Sequence, residues 1–346
     1  MNKNLYRKFI IGLGLGLLVF LGLLLYGDVQ EVSHLLQTFR WGLIPAVLGL
    51  TLVNYFLRGV RFHYYLTVVG VKNISFWTSF RVFIGGFALT VTPGKVGELI
   101  RVLWVKNLTG ADPARVAPST IVDRIIDGLA MAILASLGAL VYPQYRTAVI
   151  LILSLIVAVI IITQIRPLAL WFLNFGERLP VVSNFIQQLH TLYENTYELL
   201  RFKNILIGVG IGLVSWSAEG LAFYLVLRGL NIPASFNLAL LAIFTLSLGS
   251  ILGGISSLPG GLGAAEATMT GMLQILIGLA ENTAATGTLL IRFFTLWFGV
   301  GLGVLTIALW HKMLFGDSAA AVDHSGALQE QAGDLTLGRL NSPSET

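Results

Sequence analysis

Apolar residues fill long runs along this chain, and polar residues are confined to the joints between them. The first run, 9–26, follows Lys3, Arg7 and Lys8 and lacks a small-x-small cleavage site, so it reads as a retained first helix with its N-terminus inside. Residues 28–40 read as a mixed external loop, and 41–66 returns inward. Further runs at 119–141, 147–165, 204–227 and 286–310 are each long enough to cross a bilayer. The joint 142–146 is tight and falls outside, whereas 166–203 is long and falls inside. Within it Phe185, Leu189, Leu192 and Leu199 recur at helical spacing among Gln and Glu, an amphipathic helix for the membrane surface or the underside of the bundle. The segment 1–315 forms the membrane domain. From 316 to 346 the chain is polar and acidic without apolar periodicity, the pattern of a disordered cytoplasmic tail.

Two apolar stretches break in the middle, and the breaks match. One reads SLPGGLGAAE from Ser257 to Glu266 and the other TPGKVGE from Thr92 to Glu98. Pro259 removes a backbone donor and the glycines invite positive φ, so a helix cannot run through either break. Unwound backbone at membrane depth survives only where protein buries it or a wet cavity borders it. The flanks repeat as well: Arg58-Gly59, Phe62, Gly70 and Phe76 precede the first break, and Glu219-Gly220, Phe223, Gly229 and Phe236 precede the second. After the breaks, Arg124 follows Pro93 by 31 positions and Arg292 follows Pro259 by 33. This is a diverged repeat, spanning about 42–142 and 204–312. Paired Gly/Pro-interrupted segments in corresponding halves point to a transporter's binding site.

The first interrupted arm, 76–91, covers only ~24 Å of a ~30 Å core and continues into Lys95, Glu98, Arg101 and Lys106, so it should dip in and turn back. Around the second break, 238–255 and 264–280 are each apolar enough to span. The expected fold is an all-α polytopic integral membrane protein with inverted repeats. It has about six full spans plus two Pro/Gly-interrupted re-entrant hairpins, with eight full spans as the alternative. Counting crossings, the repeats' leading helices run in opposite directions. Basic residues of the joints fall mostly on one side, which places both termini in the cytoplasm of a multi-pass protein of the cell membrane.

Composition removes the soluble classes: mean hydropathy is +0.81, with 55% hydrophobic and 11% charged residues. That makes each charge inside an apolar run informative, since one at helix centre costs about 2.5 to 3.5 kcal/mol. Asp123 and Asp127 share a helix face at i, i+4, Arg124 reaches Asp127 at i, i+3, and Arg292 holds the matching place in the second half. Glu266 and Glu219 are its candidate partners, and Glu98 and Arg124 form the first-half counterpart. The bland reading is that Arg58, Arg61, Arg81, Glu219 and the start of the 119–141 helix lie near the interface and snorkel to it. The candidate substrate-binding set is Arg58, Arg61, Pro93, Gly94, Lys95, Glu98, Arg101, Asp123, Arg124, Asp127, Pro259, Gly260, Gly261, Glu266 and Arg292. Its basic members outnumber its acidic ones, which suits a lipid phosphate. The carboxylates orient those arginines, meet an amine or carry a proton, and the pattern leaves these roles open.

Enzyme chemistry finds little support. PGKVGE lacks the Ser/Thr and the leading glycine of a nucleotide-binding loop, Gly12, Gly14 and Gly16 follow no strand, the five histidines have no metal spacing and no Gly-x-Ser-x-Gly elbow occurs. Gly12/Gly16, Gly208/Gly212 and Gly299/Gly303 read as close helix contacts. No catalytic residue, cofactor, metal or nucleic-acid partner is expected, and oligomeric state is left open.

PGGLGAAE, TPGKVGELIR and the VDRIID helix resemble the transmembrane region of lysylphosphatidylglycerol synthases, over about residues 8–312. The resemblance implies a flippase-like protein that moves a phospholipid or a polyprenyl-phosphate-linked lipid between leaflets. The soluble aminoacyltransferase domain of the full-length synthases is not recognised here, so lysyl transfer is not carried over. The second reading is a non-transporting membrane partner of a separately encoded glycosyltransferase or lipid synthase, motivated by 166–203 and the acidic tail.

Overall fold

The computed structural model describes residues 29–92, 97–167 and 186–315. The expected first helix 9–26, the tip residues Pro93, Gly94 and Lys95, residues 168–185 of the joint 166–203 and the tail 316–346 lie outside the described residues. Helices account for the ordered chain in sequence: α1 (Val29–Thr38), α2 (Ile44–Val68), α3 (Phe76–Gly85), α4 (Ile100–Thr109), α5 (Pro113–Val141), α6 (Arg146–Gln164), α7 (Ile186–Leu199), α8 (Phe202–Gly229), α9 (Phe236–Ile255), α10 (Ala264–Ile277), α11 (Glu281–Arg292), α12 (Phe298–Leu309) and α13 (His311–Phe315). Among the described residues, five helical stretches are long and apolar enough to cross a membrane: Trp41–Val68, Pro143–Gln164, Phe202–Gly229, Phe236–Ile255 and Glu281–Leu309. With no strand among the described residues, this is an all-α, multi-pass membrane protein.

Four sequence readings change. Residues 28–40 are not a loop: α1 forms there because Val32, Leu35, Leu36 and Phe39 make one apolar stripe, with Val32 and Phe39 buried. The helix expected to start at 119 starts at Pro113, because the Asp112 carboxylate accepts from the Ala114 N–H and Pro113 suits a first turn; Pro118 sits inside. Asp127 is therefore the central residue of a 29-residue helix rather than a neighbour of its end. The return arm after the second break is shorter than its apolar run suggested. α10 has 14 residues, ~21 Å, and stops at left-handed Gly278. The last long helix begins at Glu281, not 286, and carries a wide π turn at Phe293–Trp297 directly after Arg292.

The first interrupted arm behaves as its length required, with α3 tightening into a 3₁₀ turn over Gly86–Leu89 and the chain coming back as α4. The break at Pro259–Gly261 is held by Gly260 and Gly261 at φ of 62° and 68°, and a Cβ on Gly261 would lie 3.0 Å from the Gly253 backbone. At the centre α2 lies along α8, and α5 packs on α8, α9, α6 and α7. Gly208 and Gly212 admit this approach, a Cβ on Gly212 falling 2.9 Å from that of Ala130, while Gly299 and Gly303 seat α12 on the first hairpin. One core gathers Phe62, Tyr65, Phe83 and Trp104, and a second gathers Phe223, Leu241, Leu273 and Ile291. The amphipathic helix α7 spends its apolar side on the bundle, burying Tyr193 and Leu199. α6 instead leaves Ile150, Leu151 and Leu155 exposed, an outer face for lipid.

Candidate functional site

α2 and α5 supply the first half of the site. Arg58 and Arg61 are one helical turn apart on α2 and project toward α5, where Asp123 and Asp127 share a face. Arg61 Nε donates to Asp123 Oδ1 at 2.8 Å and its NH2 to Asp127 Oδ1 at 2.5 Å. Arg58 NH2 donates to Asp127 Oδ2 at 2.8 Å, and the Trp216 indole N–H from α8 reaches Asp127 Oδ1 at 3.0 Å. All four ionised side chains are buried, so the snorkelling reading of Arg58 and Arg61 fails: both turn into the bundle. They do so because hydrogen-bonded partners offset the desolvation that lone charges would suffer in hydrocarbon. Arg81, by contrast, lies over the Trp310 ring at 4.8 Å.

Each break then contributes a carboxylate to an arginine on the following helix. Glu98 accepts from Arg124 through one oxygen and from the Thr90 hydroxyl at 2.9 Å through the other. Glu266 accepts from Arg292 Nε at 2.5 Å through one oxygen and from the Gly263 N–H at 2.7 Å through the other, closing the first turn of α10. Arg292 NH2 also donates to the Gly260 carbonyl at 2.8 Å, tying the unwound tip to α11. Both pairs join residues 26 positions apart. Arg101 differs from these: fully buried, it finds no hydrogen-bond partner among the described residues, lies 4.5 Å over the Phe83 ring and comes within 3.4 Å of Glu98.

Between the halves opens a cavity of about 630 Å³. Of the predicted site residues, Arg58, Glu98, Arg124, Asp127, Gly260, Gly261 and Arg292 line it. Arg61, Arg101, Asp123, Pro259 and Glu266 do not line it and are buried in the protein beside it. Arg124 is the most open of the guanidinium groups on the cavity, with 29% of its side chain exposed against 13% for Arg292 and 6% for Arg58. The sequence reading missed Tyr55, Thr90, Thr120 and Trp216 as lining residues, and treated Glu219 as an arginine partner or a snorkelling group. Aromatic and Thr side chains in an apolar run carry no signal separating a cavity wall from ordinary packing. For Glu219 the signal existed, as the counterpart of Arg58 in the repeat.

Part of the cavity lining is apolar: Ile152, Leu155 and Ile156 of α6, with Ile255 and Leu258 ahead of the second break. Leu155, Ile255 and Leu258 are also exposed on the outer surface, so the mouth is flanked by residues compatible with acyl chains. A ligand that fits both regions has an anionic oxygen group at one end and hydrocarbon at the other. Arginine's fork of N–H donors matches phosphate oxygens in two-point contacts. Among the described residues, no three His, Cys, Asp or Glu side chains gather as metal ligands.

The family model for the lysylphosphatidylglycerol synthase TM region matches residues 9–303. A UPF0104 membrane protein of Methanothermobacter thermautotrophicus is 24% identical over 326 residues, covering 88% of this chain and 94% of that protein. A UPF0104 membrane protein of Pyrococcus horikoshii is 24% identical over 342 residues, covering 90% of this chain and 99% of its own.

Proposed function

The chain belongs to the lysylphosphatidylglycerol synthase transmembrane-region family, and from that premise we propose that it moves a phosphate-bearing lipid between the two leaflets of the cell membrane without altering it chemically. The substrate is a phospholipid or a polyprenyl-phosphate-linked lipid. The observation that carries this reading is the junction of Arg124 and Arg292 with an apolar mouth in a single cavity. The headgroup enters against the arginines while its chains stay among Leu155, Ile255 and Leu258. The cavity lies where the two interrupted segments meet, which is where a transporter with repeats places its substrate. The test is reconstitution into liposomes with acyl-labelled phospholipid and polyprenyl-phosphate lipids, following chemical quenching of the outer leaflet. Protein-dependent movement of at least one of them is expected; rates equal to those of empty liposomes for both would end the proposal.

We further propose that both termini lie in the cytoplasm, with the joint at Pro143–Tyr145 outside and the start of α8 inside. A chain without cysteine makes the check direct. In intact cells, an impermeant thiol reagent should label Gln144→Cys but reach Lys203→Cys only after permeabilisation, both positions being exposed. The reverse pattern would invert the topology.

A further inference from the structure

Arg101 is the buried charge whose donors are left unused. It does not line the cavity, and none of its guanidinium nitrogens finds a hydrogen-bond partner among the described residues. The Phe83 and Phe87 rings lie 4.5 and 5.4 Å from its guanidinium carbon, and Gly86 leaves it room, since a Cβ there would fall 2.1 Å from Nε. Ring faces offset part of the desolvation of a cation, but unmade hydrogen bonds to a buried charge remain costly, so its presence calls for a reason. Glu98 is one helical turn away, with Oε2 at 3.4 Å from Arg101 NH1 but without the geometry of a hydrogen bond. Oε2 is also the oxygen to which Arg124 donates, while Oε1 accepts from the Thr90 hydroxyl. One carboxylate oxygen is thus within reach of two guanidinium groups, one on the cavity and one sealed beside it.

Arg124 is already engaged: Glu98 holds it, and Asp127 lies 3.6 Å from its NH1. A phosphate arriving at Arg124 meets carboxylates in place, and anions crowded on one guanidinium repel unless each finds another cation. Asp127 has Arg58 and Arg61 for that purpose, and Glu98 has Arg101. Resting on the reading of the cavity as the site of a phosphate-bearing lipid, we infer that Arg101 is a standby counter-ion for Glu98. When phosphate reaches Arg124, Glu98 passes Oε2 to Arg101, pivoting on its Thr90 hydrogen bond, and Arg124 turns its donors to the ligand. Arg101 is therefore a positioning residue that acts through Glu98 and never touches substrate. The exchange also unties the first break from α5, because Arg101 lies on α4, in the same hairpin as Glu98, whereas Arg124 belongs to α5. The second half lacks the device: three positions after Glu266 stands Met269, so the Glu266–Arg292 tie has no such alternative.

The experiment measures equilibrium binding of dioctanoyl phosphatidic acid and of dioctanoylglycerol, which differ by the phosphate, to the full chain in detergent. Wild type should prefer the phosphatidic acid. Arg101→Met should weaken its binding about tenfold, the worth of one charge-assisted hydrogen bond, and leave dioctanoylglycerol binding unchanged. Arg101→Lys should regain most of the loss. A merely structural role would weaken both lipids alike; that result, or an unchanged affinity for phosphatidic acid, overturns the inference while the phosphate-site reading stands. Failure of Arg101→Met to accumulate overturns it too, because a standby group is not a brace of the resting fold. If wild type does not distinguish the two lipids, the phosphate-site reading falls, and ligand-free protein decides about Arg101. There Arg101→Met and Arg124→Gln should each lower the unfolding midpoint by a few degrees and the pair by clearly more than their sum, since Glu98 then loses both guanidinium groups. Additive shifts refute the exchange.

Discussion

If the proposed translocation holds, Arg124→Gln is expected to lower it about a hundredfold or more while the protein still folds and inserts. Arg124 presents the most open guanidinium to the cavity, and losing a charged, two-point contact to phosphate removes roughly 1.5 to 3 kcal/mol per hydrogen bond. Its own removal is tolerated structurally, because Glu98 keeps the Thr90 hydroxyl and the nearby Arg101 guanidinium. Arg292→Gln should behave alike, since Glu266 remains fixed by the Gly263 N–H. Arg124→Lys keeps the charge but not the fork and should fall between. The measurement is the liposome rate at matched protein content. A wild-type rate in Arg124→Gln would move the headgroup site elsewhere in the chain.

Arg61→Leu should act on stability instead. Arg61 is fully buried and does not line the cavity, yet it bonds both Asp123 and Asp127. Leaving Asp123 uncompensated inside the bundle costs about 3 to 5 kcal/mol, enough to deplete a membrane protein from cells. The double change Arg61→Leu with Asp123→Leu should recover part of the loss, because removing both partners leaves no orphaned charge while Asp127 retains Arg58. Unfolding midpoints in detergent and accumulation in membranes report this. The exposed pair Arg166–Glu194 provides the contrast: Arg166→Ala should leave the midpoint unchanged. If Arg61→Leu melts with wild type, the inner ion network is not a brace.

The sequence made the pairs legible because charge is rare here. Glu98 with Arg124 and Glu266 with Arg292 followed from two matching breaks and the arginines behind them, and the geometry joins both pairs. Depth was harder to read. The apolar run begins only at 119, whereas the true start of α5 lay in the Asp112-Pro113 cap, two ordinary loop residues whose meaning is local hydrogen bonding. That shift of half a dozen residues moves Asp127 from a helix end to its middle, and so from a group that could reach the interface to one that needs Arg58 and Arg61. Which arginines face the cavity and which support them was not legible at all. Arg58 and Arg61 are equally charged and one turn apart, and nothing in the sequence tells that Arg58 lines the cavity while Arg61 does not.

The wide turn at Phe293–Trp297 acts on the phase of the helix that contains it. In a regular α-helix, positions seven apart lie two turns on and face nearly the same way, so Gly299 would look where Arg292 looks. Five residues wound at the looser π pitch under-rotate the chain by roughly a quarter of a revolution. Arg292 can then engage Glu266 in the second half while Gly299 meets Tyr55 and Gly303 meets Ala88 in the first. The Tyr55 hydroxyl clasps the Thr295 carbonyl within that turn at 2.5 Å. The helix thus works as a shaft with two offset cams. Contacts to both halves therefore sit on one helix, Glu266 at its Arg292 face and the first hairpin at its glycine face.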